Sequence, residues 1–271
     1  IPHALLFYGP QGVGKEGHAL ELAAMLNCTD VQDEGPCGYC ISCKKIKSFQ
    51  HENVKLIMPL PRGKILSSND SPMKAFKNEK VFQDYLDKLK SKGADPYFHM
   101  QVAGANTILI NSIRELKHDV SMSTVNNEWR IILIFQAEKL CVPSPAAAHA
   151  LLKILEEPPE QTIFILVSSQ SNQILDTICS RCQRLYFPPI SNAVIQDQLE
   201  RTGHDPVQAV VIARISAGNM ALSRQLKNDY SSIMEKLFAL LNACFSQDPS
   251  VWEKCIDILA RLKNKDFRQL E

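Results

Sequence analysis

Ala4-Leu5-Leu6-Phe7-Tyr8-Gly9-Pro10-Gln11-Gly12-Val13-Gly14-Lys15-Glu16 is the stretch that decides the fold. The apolar run Ala4–Tyr8 reads as a buried strand, and His18 to Met25-Leu26 reads as a helix. Between them lies G-x-x-x-x-G-K, the phosphate-loop arrangement, made of Gly9, Gly12, Val13, Gly14 and Lys15. Its glycines let backbone N–H groups turn inward around phosphate oxygens, and the helix N-terminus adds positive dipole. Lys15 supplies a point charge for the outer phosphates. The next position departs from the motif: the hydroxyl that would ligate Mg²⁺ is replaced by Glu16. The loop is therefore suited to cradling an anion and poorly equipped for hydrolysis.

Around this stretch the 271-residue chain has 45% hydrophobic and 22% charged residues and a formal net charge of +1. That is enough chain for a sizeable core and two or three units. Near-neutral charge excludes broad electrostatic attraction to nucleic acid and leaves room only for a local patch. No apolar run reaches membrane-spanning length and no signal peptide is visible, so a cytoplasmic protein is expected. The chain begins at Ile1 rather than Met, and native residues are expected before it. Nine cysteines, an odd number, point to metal binding in a reducing compartment rather than to disulfides.

Four of those cysteines follow the first helix as C-x8-C-x2-C-x2-C: Cys28, Cys37, Cys40 and Cys43. Tight C-x2-C pairs set two thiolates on one side of a turn, as tetrahedral Zn²⁺ requires. All four ligands are cysteine, with no histidine or carboxylate close by to leave an open catalytic position. A structural zinc holding a small module is expected.

Further strands are expected at Val54–Met58, Trp129–Ile134, Thr162–Val167 and Arg184–Phe187. In the polar stretch from Pro59 to Gly104, a helix from Asn78 to Lys92 gathers Val81, Phe82, Tyr85, Leu86 and Leu89 on one face. Lys80, Lys88, Lys90 and Lys92 are expected on its outer faces, as a solvated surface rather than a DNA contact. Asn111 is expected to cap a helix over Ser112–Asp119, and Ser144-Pro145 to start one ending before Pro158-Pro159. His149 within it reads as structural rather than as a catalytic base. Where an active phosphate-loop ATPase carries Asp-Glu at the end of its central strand, this chain has Phe135-Gln136. Glu138 lies two residues on and is expected to aim elsewhere. Beyond Pro188-Pro189 only helices are expected, including Met220–Lys227, Tyr230–Phe245 and Val251–Leu262.

Taken together, the phosphate-loop-like segment, the four-cysteine insertion, Ala150-Leu151-Leu152-Lys153-Ile154-Leu155-Glu156-Glu157-Pro158-Pro159 and Ser180-Arg181-Cys182 resemble the clamp-loader subunits of bacterial DNA polymerase III, within the AAA+ superfamily. The resemblance implies an α/β fold: an AAA+ P-loop-like parallel-sheet domain at 1–189, with a zinc module at 28–43 and an insertion at about 59–104. A small helical lid domain at 190–228 and the start of a helical collar domain at 229–271 would follow. The family contains ATP-hydrolysing motor subunits and the non-hydrolysing delta-prime subunit. Glu16, Phe135-Gln136 and the absence of arginine from Gly218-Asn219-Met220-Ala221 place this chain with delta-prime. Ser168 or Ser169 stands where the family has a nucleotide-sensing threonine.

The resemblance further implies that Arg181 is an arginine finger, acting in trans on the phosphates held by a neighbouring subunit. It implies partners as well: the other subunits of a hetero-pentamer and, through the assembly, the sliding clamp and primed DNA. The chain would serve the DNA polymerase III holoenzyme in replication without hydrolysing ATP itself. Whether the degenerate loop still holds ATP or another nucleotide stays open at this point. Three other readings compete: a gamma/tau motor subunit relying on Glu138 or another carboxylate, a free-standing P-loop kinase, and a zinc-dependent nucleic-acid-binding module.

Overall fold

The computed structural model describes residues 1–63, 67, 70–120 and 128–245. The chain divides into two compact units, Ile1–Ala221 and Leu222–Glu271. The first is built on a five-stranded sheet: β1 (Ala4–Tyr8), β4 (Val54–Ile57), β5 (Arg130–Phe135), β6 (Thr162–Ser168) and β7 (Gln183–Tyr186). Their order is β4-β5-β6-β1-β7, and every pairing is parallel. A short antiparallel pair, β2 (Val31–Gln32) with β3 (Gly35–Pro36), belongs to the cysteine module.

Parallel strands need crossover helices, and helices on both faces demand strands that are apolar on both faces. This is why β5 and β6 are buried along their whole length. Leu5, Phe7, Ile131, Leu133, Phe135, Ile165 and Val167 face one core, shared with α1 (Lys15–Asn27), α2 (Ile41–Lys47) and α3 (Glu79–Ala94). Ala4, Leu6, Ile132, Ile134, Phe164 and Leu166 face the other, shared with α4 (Ile110–Val120) and α5 (Ala146–Glu156). The period of two along each strand thus sorts its side chains between the layers. Short α6 (Asp176–Cys179) leads into β7, followed by α7 (Asn192–Arg201), α8 (Pro206–Ser216) and α9 (Met220–Phe245).

This topology positions the site. From β1, α1 carries the chain to one side of the sheet, whereas β6 is joined to β7 across β1 to the other. Such a switch point opens a crevice at the carboxyl ends of the strands, where α/β folds hold ligands. The phosphate loop lies there, between β1 and α1.

Several local expectations need correction. Asn111 lies inside α4 rather than capping it: it is buried, and its Nδ2 donates to the carbonyls of Ser67 and Asp70 at 2.8 Å each. Pro145, not Ser144, occupies the N-cap of α5. The break expected between Lys227 and Tyr230 does not occur, because α9 runs unbroken from Met220 to Phe245. The helix expected over Val251–Leu262 lies outside the described residues. Lys92 is only 2% exposed rather than on a solvated face.

Candidate functional site

Gly12 and Gly14 adopt φ of 75° and 93°, in the left-handed region where a side chain is strained, so the loop turns as the motif requires. A Cβ at Gly9 would stand 2.1 Å from the Phe187 carbonyl oxygen, so the loop can start against the end of β7 only with glycine there. Val13 is buried beneath the turn. Lys15, however, does not extend into an open cradle. Its Nζ donates to the carbonyls of Gly9 (2.8 Å) and Pro10 and to Ser169 Oγ (3.2 Å). Burial lowers its pKa to about 8, against the opposing pull of the Glu16 and Glu138 carboxylates.

Glu16, at the position of the motif's metal-ligating hydroxyl, is ion-paired with Lys92 of α3. Lys92 Nζ also donates to the carbonyls of Pro96 (2.7 Å) and Phe98 (2.8 Å). The chain leaving α3 crosses the loop. A Cβ built on Gly14 would meet the Tyr97 ring at 3.3 Å, and one built on Gly17 would meet Pro96 Cβ at 2.8 Å. Gly12 is approached by a different segment: Met220 N–H donates to the Gly12 carbonyl at 3.0 Å, and the Asn219 side chain lies against Gly12.

At the end of β5, Phe135 is buried, and Gln136 takes φ 53° and donates from Nε2 to the Met100 carbonyl at 3.1 Å. Neither supplies a carboxylate. Glu138 corrects the sequence reading, because it turns inward, buried, and accepts from Ser168 Oγ at 2.6 Å. Its charge favours protonated Lys15, yet the Ser168 hydroxyl holds it. As folded, the Lys15 ammonium is bonded to carbonyls of its own loop, and the position of the motif's metal-ligating hydroxyl carries a carboxylate paired with the Lys92 ammonium.

The four module cysteines come together. The sulfurs of Cys28, Cys37, Cys40 and Cys43 all lie within 4.8 Å of one another, with Cys37 and Cys43 4.0 Å apart. Tetrahedral ligation with Zn–S bonds of about 2.3 Å asks for sulfurs roughly 3.8 Å apart, so the donor set fits a tetrahedral metal. Backbone N–H groups of Cys37, Cys40 and Cys43 point at the sulfurs of Cys28, Cys37 and Cys40 at 3.3–3.4 Å, as thiolate ligands prefer. Cys40 caps α2, which leads through the buried Ser42 Oγ–His51 Nε2 contact (2.9 Å) to β4.

Arg181 sits in the turn before β7, with its side chain 35% exposed. One guanidinium nitrogen donates to the Thr177 carbonyl at 2.9 Å and another to Glu156 Oε1 at 2.8 Å. The fold therefore ties together two of the quoted motifs, since Glu156 ends α5. His149 is exposed on α5. Sequence reasoning missed Lys92, Tyr97 and Asn219. The available signal was the long insertion following a phosphate loop whose hydroxyl had become a carboxylate.

Residues 1–191 match the family described as "DNA polymerase III, delta subunit". The chain belongs to this family. Among curated relatives of this delta-family chain, DNA polymerase III subunit delta' of Bacillus subtilis is 29% identical over 230 residues, 84% of this chain and 55% of the relative. Subunit delta' of Pseudomonas aeruginosa is 27% identical over 224 residues, 82% and 55% of the two chains. Subunit tau of Bacillus subtilis is 26% identical over 199 residues, 73% of this chain and 27% of that one. The chain thus spans about half the length of the delta' proteins it matches. It carries a parallel five-stranded α/β sheet and is similar to the delta' and tau subunits of DNA polymerase III. Among the described residues no helix is long and apolar enough to cross a membrane.

Proposed function

We propose that this chain is a non-hydrolysing, delta-prime-like subunit of the clamp loader, a cytoplasmic scaffold that contributes Arg181 as an arginine finger to a neighbouring ATPase subunit. It would assemble with the other loader subunits in a hetero-pentamer and act on the sliding clamp and primed DNA through that assembly. Zinc on Cys28, Cys37, Cys40 and Cys43 would keep the module folded and take no part in chemistry.

The observation that carries this reading is the state of the two positions that metal chemistry needs. Glu16 is spent on Lys92, and Gln136, where a catalytic glutamate would polarise water, donates to a backbone carbonyl. Phosphoryl transfer relies almost wholly on positioned charge around Mg²⁺ and the γ-phosphate. A site with that charge already cancelled has little left to supply. Arg181, by contrast, is partly exposed, and its Glu156 partner is itself at the surface. Surface ion pairs hold only ~0–1 kcal/mol, so the guanidinium can be redirected to a neighbour's phosphates at small cost. Such a trans arginine is worth ~10³–10⁵ in rate.

Incubating the isolated chain with ATP and Mg²⁺ tests the non-hydrolysing half of the proposal. No phosphate release above buffer is expected. Turnover that disappears in Lys15→Ala would instead make the chain a motor subunit.

A further inference from the structure

Two of the positions at which this site departs from an active ATPase, one beside the phosphate loop and one at the end of β5, are bonded to the same segment. Glu16 pairs with Lys92, and Gln136 Nε2 donates to the Met100 carbonyl. Between those contacts Pro96 lies over Gly17 and the Tyr97 ring over Gly14. Gly14 belongs to the phosphate-loop motif, but nothing in phosphate binding asks for glycine at 17. The approach of Pro96 does, since a Cβ there would come within 2.8 Å of the proline ring.

Lys92 is the centre of this contact. A lysine 2% exposed is costly unless every donor finds an acceptor. Its ammonium has three donors, and three acceptors meet it: the Pro96 carbonyl, the Phe98 carbonyl and the Glu16 carboxylate. The first two bend the segment back under α3, and the third fastens it to the loop. The neighbouring turn of α3 is anchored separately, with Gly93 packed against the Lys47 carbonyl at the end of α2; a Cβ there would stand 2.2 Å from that oxygen.

We propose that residues 92–100 are an intramolecular ligand of the phosphate loop, a strap whose Lys92 ammonium takes the metal cation's place beside Glu16 and shuts the site against Mg²⁺-nucleotide. The proposal rests on the non-hydrolysing reading and adds the agent that closes the site. It assigns the insertion a function: it replaces a diffusible ligand by a permanent internal one, so this subunit's loop stays ordered whatever the nucleotide concentration.

The test uses the whole chain, mant-ATP with Mg²⁺ as the probe, and hydrogen exchange read over residues 9–17 and 94–100. The double variant Glu16→Ser/Lys92→Met removes both charges together and restores the motif's hydroxyl. Wild type is expected to show no saturable mant-ATP binding up to about 1 mM. The double variant should bind at least about tenfold more tightly, with exchange in both segments rising together by at least about tenfold. Wild type binding mant-ATP as tightly as the variant would overturn the strap, as would exchange at 9–17 that stays unchanged. Should the double variant lose its cooperative fold, Tyr97→Ala, which keeps the ion pair, must still speed exchange at 9–17; no change there overturns the proposal. Nucleotide binding by wild type without turnover would sink the strap alone, whereas turnover would sink the non-hydrolysing reading with it.

Discussion

Replacing Lys92 by methionine isolates the contribution of the buried ion pair, because the thioether fills most of the volume of the lysine stem. The substitution strands the Glu16 carboxylate, whose side chain is 19% exposed, and leaves the Pro96 and Phe98 carbonyls without their donor. Removing one partner of a buried pair costs ~3–5 kcal/mol. Some resolvation of Glu16 puts the expected loss near the lower end, about 3 kcal/mol. Lys88→Met is the internal control on the same helix. Its pair with Asp84 spans 2.7 Å but is 28% and 44% exposed on the two sides, and such i,i+4 surface pairs contribute only ~0.3–0.5 kcal/mol. Urea unfolding followed by circular dichroism should therefore separate the two variants by more than about 2 kcal/mol. Adding Glu16→Gln to Lys92→Met should restore part of the loss, since no uncompensated charge is then buried. If Lys92→Met costs no more than Lys88→Met, the docking of α3 on the phosphate loop is not the buried contact described, and the reasoning fails.

Two further outcomes follow from the same structure. Metal analysis of protein dialysed without chelator should find close to one zinc per chain, and Cys43→Ser should lose it; exchange should then rise over residues 28–47 while β5 and β6 stay protected. Retention of full protection after metal removal would mean the module folds without it. Burial of His51 depresses its pKa below the ordinary 6.5, outweighing the opposing Glu128 and Glu52 carboxylates and reinforced by Lys45. A folded pKa below the unfolded one means the unfolded chain binds the extra proton. Its contribution is therefore intact above about pH 6.5 and is lost as pH falls through the folded value. His51→Gln, which keeps a polar partner for Ser42, should flatten the decline in stability below pH 6.5; an unchanged slope would remove His51 as its source.

The strands were legible because parallel strands buried on both faces are written as unbroken apolar runs. Ala4–Tyr8, Ile131–Phe135 and Thr162–Val167 carry that signal without help from their surroundings. The clustering of the module cysteines was legible for a similar reason: the spacing of Cys37, Cys40 and Cys43 almost fixes their sulfurs on one side of a turn. What could not be read was non-local. Lys92 has the same helical phase as a solvated lysine until Glu16, far away in sequence, and the carbonyls of Pro96 and Phe98 converge on it. Glu138 was expected to point away from the site from its place at a strand end, but the turn through Gln136 at positive φ redirects it onto Ser168. Asn111 looked like a helix cap because asparagine prefers caps, and the need of two loop carbonyls for a donor overrode that preference.

The most direct test of the account is the ATPase rate of the assembled clamp loader carrying Arg181→Ala in this subunit alone. Arg181 lies at the surface with Glu156 and the Thr177 carbonyl as its partners, so the variant should fold and assemble normally. Loss of a trans arginine should lower the loader's turnover by at least about tenfold, toward the ~10³ expected when a finger is removed. A normally assembled loader that hydrolyses ATP at the wild-type rate would contradict the claim that this subunit serves chemistry at its neighbour's site.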